Sequence, residues 1–166
     1  TLQRQNFKKC VKKLNITTSS RRLYKILKEQ ESLTLYSIKP QYSRLIFAGK
    51  KKIELRKRTP KTKHRIIAIY ETAPTKRVVG LCEVSNYHDL PIKNINNFIR
   101  KAKINKNFIF DYYKNNKRFT AIEISKCYTF KKPISLEEFS KNECMTAPQS
   151  YSYVTNFNLS LILTLL

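Results

Sequence analysis

The stretch Leu33–Arg58, LTLYSIKPQYSRLIFAGKKKIELRKR, is the most informative part of this chain, because its pattern predicts two strands with a helix between them. Its first run is rich in β-branched and aromatic residues and ends at Pro40, which predicts a strand. Pro40 suits the first turn of a helix, whose apolar residues follow at helical spacing until Gly49 stops it. From Ile53 onward, apolar residues alternate with charged ones, which predicts a second strand.

The second strand is predicted to carry its charge on one face. Ile53 and Leu55 point to one side, and the opposite side is charged throughout because side chains alternate along a strand. The residues of the charged side are Lys52, Glu54, Arg56 and Arg58. A face that sets a carboxylate between basic side chains suits a groove that binds an anionic polymer.

The charge of the whole chain points to the same class of partner. The 166 residues include 34 Lys+Arg against 11 Asp+Glu, a net charge of +23. Residues 1–65 alone carry 20 basic and 3 acidic side chains. Such a field attracts polyanions and drives association by counterion release. The alternative is a Lys-, Asn- and Ile-rich composition that reflects codon bias, with lysine as the default surface residue.

Composition also bounds the class of protein. A hydrophobic content of 41% is enough for a folded core, and the length corresponds to one domain. No run approaches the roughly 20 apolar residues that span a bilayer, so no membrane partner is expected. The cysteines show no Cys-x-x-Cys spacing, which predicts reduced thiols in a cytoplasmic protein, with neither a metal site nor another cofactor. They are Cys10, Cys82, Cys127 and Cys144.

Residues 1–31 are predicted to form a basic helical extension. One amphipathic pattern runs from Phe7 to Leu14, and a Thr-Thr-Ser-Ser cluster offers the cap of a second helix. The two helices either pack on the main domain as a lead-in or, as a helix-turn-helix fragment, read DNA. Residues 155–166 are predicted to form an apolar C-terminal tail.

The remainder of the chain predicts a mixed α+β fold. Five or six strands with two inserted helices, and few parallel crossovers, favour a small β-barrel with peripheral helices. The further strands are predicted at Arg65–Thr72, Arg77–Asn86, Phe119–Phe130 and Tyr151–Val154, and the inserted helices at Ile92–Ala102 and Asn107–Asn115. Gly80, inside a strand, marks a bulge or a close backbone approach.

An ordered set of motifs resembles a known family. The pattern S-I-K-P-x-Y…I-x-x-G-x-K-x-x-E-x-R is present as Ser37, Ile38, Lys39, Pro40, Tyr42, Ile46, Gly49, Lys51, Glu54 and Arg56. It is followed by I-Y-x-T-x-P from Ile69, V-V-G from Val78 and P-Q-S-Y from Pro148. Over residues 33–154 the chain is similar to the ASCH domain of the PUA-like superfamily.

The resemblance implies a six-stranded PUA-like β-barrel that binds RNA in a cleft beside the G-x-K-x-x-E-x-R strand. Some members of the family resemble amidohydrolases acting on N4-acetylcytidine, and others have been described as metal-dependent ribonucleases. The amidohydrolase pattern places a threonine nucleophile three residues after its catalytic lysine, where this chain has Glu54. A carboxylate cannot form the same acyl-enzyme. Binding is therefore favoured over catalysis, and whether the cleft is an enzyme stays open.

The residues expected to bind nucleic acid surround this cleft. Arg56 suits bidentate contact with phosphate, and Tyr70 stacks a base unless it belongs to the core. The full predicted set is Lys39, Lys51, Arg56, Arg58, Tyr70, Thr72, Gln149 and Ser150. Each has a structural alternative: a surface lysine, an ion pair on a strand, a core tyrosine or a barrel-closing loop. If the cleft is catalytic, Lys51 and Glu54 supply the acid–base pair, with a divalent metal at Glu54 as one variant.

The sequence thus predicts an intracellular RNA-binding module with a basic cleft. A cleft hydrolase acting on RNA or on a modified nucleoside is the alternative, and a DNA-binding transcriptional regulator is the second alternative. RNA is the expected partner and DNA the other candidate.

Overall fold

A six-stranded sheet and six α-helices make up the part of the chain that the structure, a computed structural model, describes, namely residues 18–141 and 144–166. The strands are β1 (Leu33–Ile38), β2 (Ile53–Arg56), β3 (Ile66–Glu71), β4 (Arg77–Pro91), β5 (Arg118–Ile134) and β6 (Tyr151–Val154). The helices are α1 (Thr18–Gln30), α2 (Pro40–Phe47), α3 (Asn96–Ala102), α4 (Lys106–Tyr113), α5 (Leu136–Ser140) and α6 (Leu159–Leu165), with a 3₁₀ turn at Ile92–Asn94. The first helix predicted from the sequence, around Phe7, lies outside the described residues.

The strand order across the sheet is β2-β5-β4-β3-β1-β6. The β1–β3 pair is parallel and the other pairs are antiparallel. The sheet is open, with β2 and β6 as its edges, and does not close into the predicted barrel. The physical reason is length, because each edge strand has only four residues and already pairs with its inner neighbour.

The two long central strands bend the sheet. Strands β4 and β5 have 15 and 17 residues and pair along most of their length. Their register shifts at three places between Val78 and Asn86. Each shift adds local twist and bends the strands, so that one sheet can face separate groups of helices.

Three hydrophobic clusters result from this bending. The first cluster packs α1, α5 and α6 on one face of the sheet, with Leu23, Leu27 and Ile162 at 0% exposure. The second lies on the opposite face, where Ile46 of α2 packs with Tyr36 of β1. The third joins β2 and β5 to α3 and α4. Parts of both the predicted N-terminal extension and the predicted C-terminal tail therefore contribute to the same core as the sheet.

The opening stretch has the predicted elements. Strand β1, helix α2 and strand β2 follow one another, and Gly49 has a φ of 69°, a left-handed conformation that favours glycine. Gly80 is a site of close approach, as predicted. A Cβ atom there would clash with the carbonyl oxygen of Tyr128 and lie 2.7 Å from the ring of Phe47 at the end of α2. This contact fixes α2 against β4.

Among the described helices, none combines the length and the apolar character needed to pass through a bilayer.

Candidate functional site

The candidate site lies where the carboxyl end of β1 meets β2 and the segment before β6. The carboxyl ends of the parallel strands β1 and β3 point to the same edge, and the backbone N–H of Thr72 donates to the carbonyl of Ile38 (3.0 Å). On the other side, the backbone N–H of Ser37 donates to the carbonyl of Ser150 (2.9 Å). Three chain segments that are distant in sequence are thereby held together at one edge.

Arg56 bridges the two open edges of the sheet. It ends β2, and its guanidinium donates from Nη2 to the carbonyl of Ser37 (3.1 Å). From Nη1 it reaches the carbonyl (3.3 Å) and the Oγ (3.2 Å) of Ser150, just before β6. The guanidinium carbon lies 4.9 Å from the ring centroid of Tyr36, a cation–π contact. A side chain thus makes the closure that a strand ladder would make in a barrel.

Glu54 lies between two cations. One carboxylate oxygen is 3.2 Å from Lys51 Nζ, and the other is 3.1 Å from Arg56 Nη2. The side chains of Glu54 and Arg56 are 12% and 13% exposed, and that of Lys51 is 0% exposed. Buried charges persist only when each is paired and hydrogen-bonded. The alternation of strand β2 supplies this pairing, because Glu54 and Arg56 fall on the same face.

Lys51 is held from three sides. Besides the Glu54 contact, its ammonium donates to the carbonyl of Ala102 (2.5 Å) and lies 5.4 Å from the ring centroid of Tyr42. Burial lowers the pKa of this amine, and the negative charge of Glu54 opposes that effect. We call Tyr36, Ser37, Lys51, Glu54, Arg56 and Ser150 together the Arg56 site.

Several buried polar atoms at this edge have no hydrogen-bond partner in the described part of the chain. They are the Oη of Tyr36, the Oγ of Ser43 in the first turns of α2, and the Nε of Arg56. Buried polar groups nearly always have a hydrogen-bond partner, so three buried atoms without one need a functional explanation. Burial also raises the pKa of the Tyr36 phenol, which stays a hydrogen-bond donor at neutral pH.

The structure brings together only part of the predicted set. Lys51, Glu54, Arg56 and Ser150 form one connected network. Lys39, Arg58 and Gln149 are near its members in the chain and are exposed, and Thr72, whose backbone N–H bonds to Ile38, is half-buried. Tyr70 lies elsewhere: it is 6% exposed and packs in the first hydrophobic cluster, the core position given as its alternative role.

Sequence reasoning did not single out Tyr36 and Ser37 as site residues, and it used Tyr42 only as part of a motif. The alternation of β1 was the available signal for Tyr36, because this ring points away from the side of Leu35. Ser37 contributes its backbone carbonyl, a group that no side-chain pattern reveals. Its pairing with Arg56 depends on the approach of two strands that the sequence does not order.

The carboxylate of Glu54 does not fit a divalent metal ion. Each of its two oxygens contacts a cationic group, and a bound metal ion would either displace these cations or be repelled by them. The described residues also contain no group of three or more His, Cys, Asp or Glu side chains placed to hold a metal ion. The arrangement instead presents a fixed guanidinium and a buried lysine–carboxylate pair.

Comparisons with known proteins agree with this fold. The sequence matches the family model of the ASCH domain over residues 37–145. A crystal structure of ASCH from Zymomonas mobilis is similar with a TM-score of 0.67 at 24% identity, covering 74% of this chain and 87% of that one. Two point mutants of the same protein give a TM-score of 0.66, covering 72% of this chain and 86% or 88% of theirs.

The curated relatives are ribosomal proteins by name. The large ribosomal subunit protein uL22 of two Ureaplasma parvum strains is 25% identical over 131 residues. The match covers 76% of this chain but only 41% of those proteins, so the chain spans less than half of their length.

Proposed function

Because this chain belongs to the ASCH domain family, we propose that it binds RNA through the Arg56 site. The family is PUA-like and associated with nucleic acids. The proposal concerns a single strand whose phosphate contacts Arg56 while the surrounding basic residues contact neighbouring phosphates.

The observation that carries the proposal is the state of the Arg56 guanidinium. Its Nη2 is anchored by the carboxylate of Glu54 and the carbonyl of Ser37, whereas in the described part of the chain its Nη1 contacts neutral oxygen atoms of the exposed Ser150, at 3.2 and 3.3 Å. A guanidinium forms its strongest hydrogen bonds with anionic oxygens such as those of phosphate. The outer half of the fork therefore suits a phosphate oxygen, while the inner half and the Tyr36 ring keep the guanidinium oriented.

Charge around the site supports the same partner. Lys39, which directly follows β1, and Arg58, two residues after Arg56, are exposed, and the chain as a whole carries +23. A single strand of RNA bound along these basic residues would release counterions from several of its phosphates, so the affinity would depend on the salt concentration. The Ureaplasma relatives are named as proteins of the large ribosomal subunit, and an RNA partner for this chain is consistent with that name.

The test is the affinity of a labelled 20-nucleotide single-stranded RNA, measured by fluorescence anisotropy at several salt concentrations. We expect Arg56→Lys, which keeps the charge but loses the fork, to weaken binding about tenfold, the loss of one charge-assisted hydrogen bond. Lys25→Gln is the control, because Lys25 has a side chain 79% exposed on α1 and its loss removes one surface charge and a 3.9 Å surface ion pair with Glu29.

Thermal unfolding of Arg56→Lys shows whether the variant keeps its fold. The proposal is contradicted if Arg56→Lys and Lys25→Gln bind RNA alike while both stay folded. Preference for duplex DNA, lost on removal of residues 1–17, which leaves α1 in place, would instead support the DNA-binding alternative.

A second candidate function is hydrolysis in the same site. It is favoured by one observation, the lowered pKa of Lys51 at 3.2 Å from the Glu54 carboxylate, since a perturbed amine beside a carboxylate suits acid–base chemistry. Against it, the Lys51 side chain has no exposed surface. Incubation with labelled RNA and with N4-acetylcytidine tests it. Turnover that Glu54→Gln abolishes while circular dichroism shows the variant folded would support an enzyme, and absence of turnover on both substrates would exclude these two reactions.

A further inference from the structure

Helix α4 carries three large aromatic side chains on the surface. Phe108, Phe110 and Tyr112 are 49%, 47% and 47% exposed, and they stand out among the described hydrophobic residues for that reason. The other side of the helix is anchored, because Ile109 and Tyr113 are buried in the third hydrophobic cluster. Clustered exposed aromatic rings on a folded surface mark a contact with another molecule.

Two of these rings form a flat pair. Phe108 and Tyr112 are one helical turn apart, and their rings stack with centroids 5.6 Å apart and planes only 14° from parallel. The Nζ of Lys57 lies 4.0 Å from the centroid of Tyr112. Phe110 belongs to a different side of the helix, where Lys106 lies 5.7 Å from its ring. The surface thus offers a parallel ring pair with a cation on it.

This ring pair adjoins the Arg56 site. Lys57 directly follows Arg56 in the chain, and Tyr113, whose ring contacts that of Tyr112 at 5.0 Å, is close enough to Glu54 and Arg56 for both charges to act on its phenol. The ring pair is thus connected to the Arg56 site through Tyr113 and Lys57.

The charge near α4 indicates what kind of molecule it contacts. Residues 101–118 contain six basic side chains and a single carboxylate, the exposed Asp111. The centres of protein–protein interfaces are enriched in aromatic residues but depleted in lysine. Surfaces that bind single-stranded nucleic acid combine lysine and arginine with exposed rings, because every base has a face that can stack and every nucleotide has a phosphate.

We propose that Phe108, Tyr112 and Lys57, the α4 platform, bind a single-stranded RNA whose phosphate is held at the Arg56 site, with the ring pair stacking a base and Lys57 contacting a neighbouring phosphate. The proposal rests on the RNA binding proposed above and extends it to a second contact that reads the strand through its bases. The platform requires unpaired bases, so it selects single-stranded RNA over a duplex.

The test compares two variants of the full chain that lose exposed aromatic area at different sides of α4. Phe108→Ala combined with Tyr112→Ala removes the platform, and Phe110→Ala is the control. With a 20-nucleotide single-stranded RNA, we expect the double variant to bind about 5- to 100-fold more weakly and the control to bind within about twofold of the wild type. A 4-thiouridine-containing RNA is expected to crosslink to the tryptic peptide of residues 107–114.

The outcomes separate the two proposals. If Arg56→Lys weakens RNA binding but Phe108→Ala combined with Tyr112→Ala does not, the platform proposal is contradicted and the proposed function stands. The platform proposal is also overturned if the rings form a contact between two copies of the chain. In that case sedimentation detects a dimer of the wild type, the double variant is a monomer, and the two bind RNA with equal affinity. If the wild-type chain binds no RNA, the platform and the proposed function both fail.

Discussion

At the residue scale, a run of three lysines conceals one that differs from its neighbours. Lys50 and Lys52 are exposed, whereas Lys51 between them is 0% exposed and paired with Glu54. The reason is local: Gly49 ends α2 and the chain turns inward before β2, so that only the middle lysine points to the carboxylate. The same carboxylate orients Arg56, which makes Glu54 the central residue of the Arg56 site.

Glu54→Gln is expected to destabilise the fold by about 3–5 kcal/mol at pH 7, because it leaves two largely buried cations without their shared anion. The variant also loses the charge that opposes the lowering of the Lys51 pKa, so that pKa falls further. A folded-state pKa below that of the unfolded chain means that the unfolded state binds more protons between the two values. Stability then increases with pH over that interval.

Urea unfolding at pH 7 and pH 9.5 measures this effect. We expect a smaller loss at pH 9.5, because the further lowering of the Lys51 pKa lets the variant lose this proton at a lower pH than the wild type, and a neutral amine does not need the carboxylate. Glu137→Gln, the same change at an exposed position of α5, is the control and should cost little at either pH. An equal loss for Glu54→Gln at both pH values would show that Lys51 does not depend on Glu54.

At the element scale, helix α1 is bound to the sheet by both apolar and ionic contacts. Leu23 and Leu27 are fully buried in the first hydrophobic cluster. On the same helix, Arg22 makes two hydrogen bonds to the carboxylate of Glu83 on β4, at 2.8 and 2.6 Å, and Arg65 contacts that carboxylate at 3.1 Å. The hydrogen bond from Arg22 is the main reason that the pKa of Glu83 is lowered.

Leu27→Ala is expected to lower the free energy of unfolding of the whole domain by about 2–5 kcal/mol, the usual cost of emptying a buried leucine site. Lys25→Ala, two residues earlier on the exposed side of α1, should change it by less than about 0.5 kcal/mol. Urea unfolding followed by the circular dichroism of the sheet measures both. If Leu27→Ala leaves the unfolding of the sheet unchanged, α1 is an independent segment.

At the scale of the whole molecule, an open but curled sheet distributes its apolar residues over three clusters. The curvature brings the edges β2 and β6 near each other, and the side chain of Arg56 joins them. Several tyrosines are enclosed as a result. Burial raises the pKa values of Tyr36, Tyr87 and Tyr113, so the folded state disfavours their ionised forms.

The fold is therefore expected to lose stability in alkali. Because these folded-state pKa values lie above the ordinary 10.0, the stabilisation is complete below pH 10 and is lost as the pH rises beyond it. Phenolate absorbance near 295 nm, followed together with circular dichroism, should show a late group of tyrosines that ionises as the sheet unfolds. Tyr36→Phe removes an unpaired hydroxyl and should move this unfolding to higher pH. Ionisation of all ten tyrosines in one step near pH 10, with the fold intact, would contradict this account.

Much of the local structure could be read from the sequence. The order of β1, α2 and β2, the stop at Gly49 and the alternation of Glu54 with Leu55 all follow from neighbouring residues. The exposure of Phe108 and Tyr112 could not be read in the same way. An aromatic residue at helical spacing looks the same in a core and on a surface until the neighbours of the helix are known.

The sequence by itself determined the family, the elements around Lys51–Arg56 and the basic character of the molecule, because motifs, periodicity and net charge are properties of neighbouring or summed residues. Only the tertiary structure decided that the sheet stays open, that Tyr70 packs in the core, and that Arg56 spans from β2 to Ser37 and Ser150. The physical reason is the same for all three. Each depends on which distant strands lie side by side, and that choice is made by the packing of the whole chain.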